Sequence, residues 1–413
     1  MEKSEFPHPV EEIKGAYFDI YEGRTLIFGL TSSAAIYKSI DVMRELIRRN
    51  AEIVAVMSKE ATKLISPTLI EWAIGKKVFT EFGGEVGHIS LGRMASSMII
   101  CPATANTIAK IAMGIGDTPV TLTALSILGN NKPLVIVPAM HFSLWSSPTF
   151  KEALHKLVKY DVVIVPPKIS EGKAKIADME DIIAATEAAT LRGKDLSGLN
   201  VLVTAGPTRE YLDSIRYLTN PSSGKMGIAI AREAYFRGAD VTLIHGPVYT
   251  SVPHYIKSIN VMSAEDMLKA VINEVKRRKY DVIIMAAAPT DFRFDKVIKG
   301  KIESSENIEV TLRPNPKISL EVRKYFEGLI VGFNAEYAKG DKNLLKEHAI
   351  RKLHERGFDL IIANDVSRTD VGFASDFNEV LIVNGKEVAE VPKAPKSVIA
   401  RIILDRIKVM IHN

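Results

Sequence analysis

The sequence predicts an α/β protein built from two doubly wound, Rossmann-like domains in succession. Short β-branched runs alternate with amphipathic stretches of helical period along the whole chain. The runs are apolar throughout rather than alternating, as strands covered on both faces are. The length of 413 residues exceeds what one hydrophobic core normally serves and gives each half room for its own.

Taken in order, "RTLIFGL" (24–30) is the first strand, a helix follows near 34–49, and "AEIVAVMS" (51–58) is the next strand. Further strands are expected at "SSMIIC" (96–101), "PLVIVPA" (133–139) and "DVVIVPP" (161–167). The polar segment "RGKDLSGLN" (192–200) breaks the pattern before "VLVTAGPTRE" restarts it, which sets domains of 1–192 and 193–413. The second half continues with "ADVTLIHGP", "DVIIMAAAPTD", "LIVGFNAE" and "FDLIIANDVS", each carrying small and polar residues at its end. A small antiparallel hairpin, "EVLIVNGKEVAEV", is expected to turn at Asn384-Gly385 in type I′ geometry, and a helix from about Lys396 closes the chain.

Composition narrows the function. One cysteine, Cys101, excludes an internal disulfide and any cysteine-cluster metal site. A net charge of +5 spread over the chain suits anionic small molecules better than a nucleic-acid duplex. No apolar run approaches membrane-spanning length, and the first residues lack the pattern of a secretory signal, so a cytoplasmic enzyme with no membrane or nucleic-acid partner is expected. The absence of glutamine beside many Lys, Glu and Ile hints at a thermophilic source.

In open α/β sheets ligands sit beyond the carboxyl ends of strands, so the turns there carry the functional signal. "GLTSSAA" (29–35) and "PATANTIAK" (102–110) are two hydroxyl-rich strand-to-helix turns, where backbone N–H groups and a helix dipole can hold a phosphate. In the second half "TNPSSGKMG" (219–227) resembles a phosphate loop but is no Walker A motif. Thr219 stands where its first glycine belongs and Met226 where its Ser or Thr belongs. No G-x-G-x-x-G follows either first strand, which argues against a nicotinamide dehydrogenase.

Residues 24–180 resemble the homo-oligomeric flavin-containing cysteine decarboxylases, through "GLTSSAAIYK", "MSKEATKLI", "GHISLGRMAS", "PATANTIAKIAMGIGD" and "PAMHFSLW". The resemblance implies a flavodoxin-like domain binding FMN, with its phosphate near Ser32, Ser33, Thr104 and Thr107, and Ser58 and Asn106 at the ring. It makes His88 the catalytic histidine and places Met140 and His141 at the substrate carboxylate. Loss of CO2 from a cysteinyl carboxylate leaves an unstabilised carbanion, so prior oxidation of the carbon bearing sulfur is needed, with His88 helping to remove the thiol proton. Two departures stand out: His141 replaces the asparagine of the bacterial pattern, and "ISEGKAKIAD" (169–178) lacks the lid cysteine that donates the final proton. Cys101 reads as a small buried hydrophobe rather than its substitute, leaving Glu171, Lys173 or Lys175.

Residues 200–411 resemble the phosphopantothenate-cysteine ligases, through "VTAGPTRE", "DSIRYLTNPSSGKMG", "AAAPTDF", "NPKI", "VGFNAE", "ANDVS" and the "GF-SDFN" region (372–378). Together the halves are similar to the fused bifunctional enzymes of coenzyme A biosynthesis. The implied substrates are 4′-phosphopantothenate, cysteine and a nucleoside triphosphate, CTP in the bacterial relatives, with Mg2+. A carboxylate becomes an acyl donor only when one oxygen is made a good leaving group, here by attack on the α-phosphate. The resemblance assigns Asn220 and Lys301 to catalysis, and Arg216, Ser222 and Ser223 to the substrate. It assigns Ala286, Ala288, Asp291, Lys301, Pro316, Lys317, Ile318, Ser319, Phe333, Lys352 and Arg356 to the nucleotide. It also implies a homo-oligomer with trimeric flavin domains and dimeric ligase domains. An active ligase carrying an FMN-binding scaffold is the alternative.

Overall fold

The structure, a computed structural model, describes residues 8–412 apart from 85, 304–306, 369 and 386. The chain divides into two compact units, Met1–Asp195 and Leu196–Asn413, inside the polar segment 192–200. Each is an α/β unit around a parallel sheet.

In the first unit the sheet runs, from one edge to the other, Glu52–Met57, Thr25–Leu30, Ser97–Ala103, Leu134–Pro138 and Val163–Ile164, with every pair parallel. Numbered along the chain this is the order 2-1-3-4-5, and the order reverses between Thr25–Leu30 and Ser97–Ala103. The crevice at that reversal receives both hydroxyl-rich turns. Ser97–Ala103 is buried at every position, as its continuous apolarity requires, and packs in a core with Ile27, Val120 and Ile127. Gly92 lets helix Gly87–Met94 lie close on Pro119–Gly129, since a Cβ there would stand 2.1 Å from Ser126 Oγ. The stretch 34–49 is not one helix: Ala34–Lys38 is a 3-10 turn and the α-helix is Ser39–Arg48.

A second, antiparallel sheet was not foreseen. Lys168–Ser170 and Lys173–Lys175 form a hairpin across Glu171-Gly172, both with positive φ, and Met140–His141 joins as the third strand. Two positive-φ residues in a two-residue turn match the twist of the flanking strands.

The second unit has one eight-stranded sheet. Lys257–Asn260, Asp240–His245, Asn200–Ala205, Val282–Met285, Leu329–Glu336 and Leu360–Asp365 run parallel, and Phe377–Val383 and Val388–Pro395 add an antiparallel hairpin at the edge. The parallel part reads 3-2-1-4-5-6 along the chain, the dinucleotide-binding order, reversing between Asn200–Ala205 and Val282–Met285. The hairpin connection differs from expectation. Asn384 stands at its foot: the N–H of Asn384 donates to Glu387 O at 3.2 Å and Asn384 Oδ1 accepts from Glu387 N–H at 2.8 Å, while Lys386 lies outside the described residues. An asparagine whose side chain closes the turn has no need of its centre.

Helices Lys225–Phe236 and Lys396–His412 pack together through buried charge. Arg401 Nε lies 3.3 Å from Glu233 Oε1, and the fully buried Arg237 lies 2.9 Å from Asp405. Removing one partner of a buried pair strands the other in a medium that cannot solvate it. Glu233→Ala is therefore expected to destabilise the second unit by about 3–5 kcal/mol, read from its urea midpoint, with Glu233→Gln losing less.

Candidate active sites

At the first reversal, Thr31 binds the two turns to each other. Its hydroxyl donates to Pro102 O at 2.7 Å and accepts from Thr104 N–H at 3.1 Å. Thr104 caps helix Ala105–Met113, accepting from Thr107 N–H at 3.3 Å, and its hydroxyl meets that of Thr107 at 3.0 Å. Ser33 caps only the short 3-10 turn, and Ser32 is exposed. The stronger dipole at this crevice thus belongs to the helix after Thr104. Ser58 is buried beside the end of Thr25–Leu30, its N–H donating to Leu30 O at 3.1 Å, while Asn106 is exposed in the first turn of its helix.

His88 sits in the first turn of helix Gly87–Met94, not in a loop. Its ring lies 5.6 Å from that of Phe82, and Nδ1 is buried without a hydrogen-bond partner among the described residues. Met140 and His141 are held opposite Ala174 and Lys173, and Phe142 N–H donates to Gly172 O at 2.9 Å. Glu171 and Lys175 pair with each other at 2.7 Å. Burial pushes the Cys101 thiol up to about 12, so it stays protonated and sealed in its strand. Hydroxyls, the free N–H groups of a nine-residue helix and an orphaned imidazole nitrogen together fit a flavin phosphate and a thiol substrate.

At the second reversal a cavity of about 290 Å³ gathers residues distant in sequence. Asn220, Ser222 and Ser223 line it together with Ala286, Ala288, Asp291, Pro316, Lys317, Ile318, Ser319, Phe333, Lys352 and Arg356. The "TNPSSGKMG" loop runs from strand Tyr217–Thr219 into helix Lys225–Phe236 along the cavity wall. Gly224 takes φ +80° before the helix, and a Cβ on Gly227 would stand 2.8 Å from Thr204 O, so both glycines are required. Asn220 Nδ2 donates to Ala288 O at 3.2 Å and to Pro289 O at 3.1 Å, which ties this loop to the opposite wall.

That wall is braced from behind. Thr290 Oγ1 donates to Glu210 Oε1 at 3.1 Å, and Asn315 Nδ2 donates to Thr290 O at 3.0 Å. Lys317 forms an ion pair with Asp291. Lys352 lies 3.0 Å from Glu336, whose carboxyl is kept below the usual range by Lys352, Asn334 and His348 against the opposing effect of burial.

Arg216 and Lys301 are not among the residues lining this cavity. They belong together elsewhere, around Asp213. Its buried carboxylate accepts N–H bonds from Ile215 at 2.7 Å, Arg216 at 2.6 Å and Ile302 at 3.2 Å, and pairs with the Arg216 guanidinium at 2.5 Å. The Arg216 N–H bond leads the group of contacts that hold Asp213 far below the usual carboxylate range. Arg216 also donates to Ile302 O at 3.1 Å, so it anchors the loop that carries Lys301. Lys301 itself is exposed and has no bonded partner among the described residues.

Sequence reasoning marked the loop 372–376 as part of the ligase signature but gave no role to its residues, nor to Lys225 or Lys396. Ser223 Oγ donates to Phe373 O at 2.5 Å, and Lys225 pairs with Asp376 at 2.6 Å. Lys396, 6% exposed, donates to the carbonyls of Ser375 at 2.6 Å, Gly372 at 2.8 Å and Phe373 at 3.4 Å. Burial, reinforced by the Lys225 charge, draws its pKa down to about 8. Between that value and the ordinary 10.5 the unfolded chain holds a proton that the folded chain has released, so this group favours folding increasingly as pH climbs through the window. Urea midpoints at about pH 7.5 and about pH 10 are expected to shift in favour of wild type over Lys396→Met. An unchanged difference rules this titration out.

Among the described residues no helix is long and apolar enough to cross a membrane, and no group of three or more His, Cys, Asp or Glu is placed to hold a metal ion.

Residues 196–410 match the family described as DNA/pantothenate metabolism flavoprotein C-terminal domain, and residues 17–191 the family described as Flavoprotein. The Coenzyme A biosynthesis bifunctional protein of Thermococcus kodakarensis is 42% identical over 396 residues, spanning 94% of this chain and 96% of its own. The protein of the same description from Methanocaldococcus jannaschii is 35% identical over 412 residues, spanning 99% of this chain and 100% of its own. Among solved structures, the C-terminal domain of a Coenzyme A biosynthesis bifunctional protein is 35% identical, covers 53% of this chain and 98% of its own, and superposes with a TM-score of 0.44.

Proposed function

We propose, from the premise that the chain belongs to the family of coenzyme A biosynthesis bifunctional proteins, that it catalyses two consecutive steps. The second unit joins 4′-phosphopantothenate to cysteine at the expense of a nucleoside triphosphate, CTP in this reading. The first unit decarboxylates the resulting 4′-phosphopantothenoylcysteine to 4′-phosphopantetheine. The observation that carries this reading is the single cavity at a dinucleotide-type strand reversal, which collects Asn220, the Ser222-Ser223 turn and every expected nucleotide residue except Lys301.

In the ligase step an oxygen of the substrate carboxylate attacks the α-phosphorus and pyrophosphate leaves; the cysteine amine then attacks the acyl carbon and the nucleoside monophosphate leaves. Ser222, Ser223 and the N-terminus of Lys225–Phe236 receive the phosphopantothenate phosphate, a fixed dipole meeting an anion. Asn220 faces the acyl carbonyl, which takes over one of the protons now given to Ala288 and Pro289. Lys301, free on a loop anchored through Asp213 and Arg216, comes onto the α-phosphate when nucleotide is bound. Lys352 and Arg356 oppose phosphate charge, and the nucleotide brings Mg2+ with it, Asp291 being the carboxylate within the cavity.

In the decarboxylase step the bound flavin, FMN in this reading, supplies two-electron oxidation of the carbon bearing sulfur and its reversal. Ser32, Ser33, Thr104 and Thr107 hold its phosphate, and Ser58 and Asn106 address the ring. His88 takes the substrate thiol proton at its unpartnered Nδ1. Met140 and His141 orient the carboxylate. Glu171 and Lys175 neutralise each other, which leaves Lys173, directly opposite His141, to return the last proton. Exposed apolar side chains such as Tyr37, Trp72 and Met113 in the first unit, and Ile215, Phe292 and Leu312 in the second, support assembly into trimers of the one and dimers of the other.

The test is direct. Purified protein given CTP, 4′-phosphopantothenate and cysteine is expected to release pyrophosphate, CMP and then CO2, and to be yellow. Pyrophosphate without CO2 limits the activity to the ligase, and release of neither refutes the proposal.

A further inference from the structure

Strand Leu329–Glu336 carries one side chain into the cavity region that no expected role explains. Asn334 is 5% exposed, lines the cavity, and its Nδ2 has no hydrogen-bond partner among the described residues. Buried amide donors are nearly always bonded, so an orphan at a ligand cavity points to a partner that arrives with the ligand. Of the three other buried asparagines of the same lining, Asn315, Asn364 and Asn378, Asn315 Nδ2 donates to Thr290 O at 3.0 Å, and Asn378 Oδ1 accepts from Glu379 N–H at 3.1 Å.

We propose that Asn334 reads the base of the nucleotide, its Nδ2 donating to a ring nitrogen or carbonyl oxygen on the base edge. The proposal rests on the cavity being the nucleotide site, and deepens that reading by naming the residue that meets the base.

The chemistry around Asn334 selects a neutral acceptor over a phosphate. Its closest charged influence is Glu336, which it helps hold ionised without closing a geometric hydrogen bond. Glu336 is itself occupied by Lys352 at 3.0 Å and His348 at 3.2 Å. A phosphate brought to Asn334 would be repelled by that carboxylate, whereas a neutral base would not. The adjoining Phe333 and nearby Phe358 also line the cavity and offer flat apolar surface for a base. A side-chain amide presents a donor and an acceptor in one plane, the arrangement that reads a base edge.

The experiment is calorimetric titration of the full chain with CTP and with ATP, and separately with ribose 5-phosphate and tripolyphosphate. Asn334→Leu keeps the volume and removes the donor. It is expected to weaken the nucleotide that wild type prefers by about ten- to hundredfold, while tripolyphosphate and ribose 5-phosphate bind within about twofold of wild type. Asn334→Ser, smaller and still polar, is expected to show the same split and serves should the leucine variant not fold. Equal nucleotide affinity in wild type and variants overturns the role of Asn334 and leaves the site reading intact. An equal loss for tripolyphosphate overturns it too, by making Asn334 a support of the phosphate site. A wild-type protein that binds neither nucleotide brings down the site reading and the inference together.

Discussion

Asn220→Asp is expected to slow amide formation by about 10²- to 10³-fold while the acyl-nucleotide still forms and accumulates. The asparagine amide stands between two segments, donating to Ala288 O and Pro289 O. Aspartate has nearly the same shape but offers no donor at neutral pH, and its charge faces the two carbonyl oxygens. The attacking amine builds negative charge on the acyl oxygen, and a carboxylate there opposes that charge instead of stabilising it. The first half-reaction develops its charge at phosphorus, where the proposed mechanism places Lys301, and is expected to suffer less. Rapid quench with labelled nucleotide separates the two steps. If amide turnover is unchanged, Asn220 has no part in it; if pyrophosphate release falls equally, its contribution is to the shape of the cavity.

His88→Asn is expected to lower CO2 release from 4′-phosphopantothenoylcysteine by at least about 10²-fold, with flavin still bound and ligase activity unchanged. The imidazole is fixed on a helix whose approach to its neighbour depends on Gly92, and its Nδ1 has no competing partner. Asparagine cannot accept the thiol proton at a comparable basicity. The flavin absorption spectrum checks the binding, and pyrophosphate release from the second unit checks that the remainder of the chain is intact. Normal CO2 release would remove His88 from the chemistry, and a colourless variant would recast it as a support of the flavin.

The layers of the fold were readable because a strand covered on both faces must be apolar at every position, as Ser97–Ala103 is, and that demand is local. The same locality exposed "TNPSSGKMG" and the hydroxyl turns, since each serves its site through adjacent backbone. What escaped depends on contacts across the sequence. Lys396 looks like any lysine opening a helix until the carbonyls of 372–375 close around it. Asp213 is one acidic residue among many until Ile302 bonds it from 89 positions away. Arg216 was assigned to the substrate by its motif, whereas its guanidinium grips Asp213 and Ile302 O. The stretch 169–178 stands where the resemblance puts a lid, but its pairing as a hairpin was not legible, because three-residue strands carry too little periodicity to be recognised.

That hairpin has a mechanical corollary. Met140 and His141 pair with Ala174 and Lys173, so the segment proposed to hold the substrate acid and the flap beside it are joined in a single plate. Letting product go by hinging the flap alone would tear the Phe142–Gly172 stitch. In the proposed decarboxylation the carboxylate that His141 would hold leaves as CO2, so the plate and the product would lose that tie together.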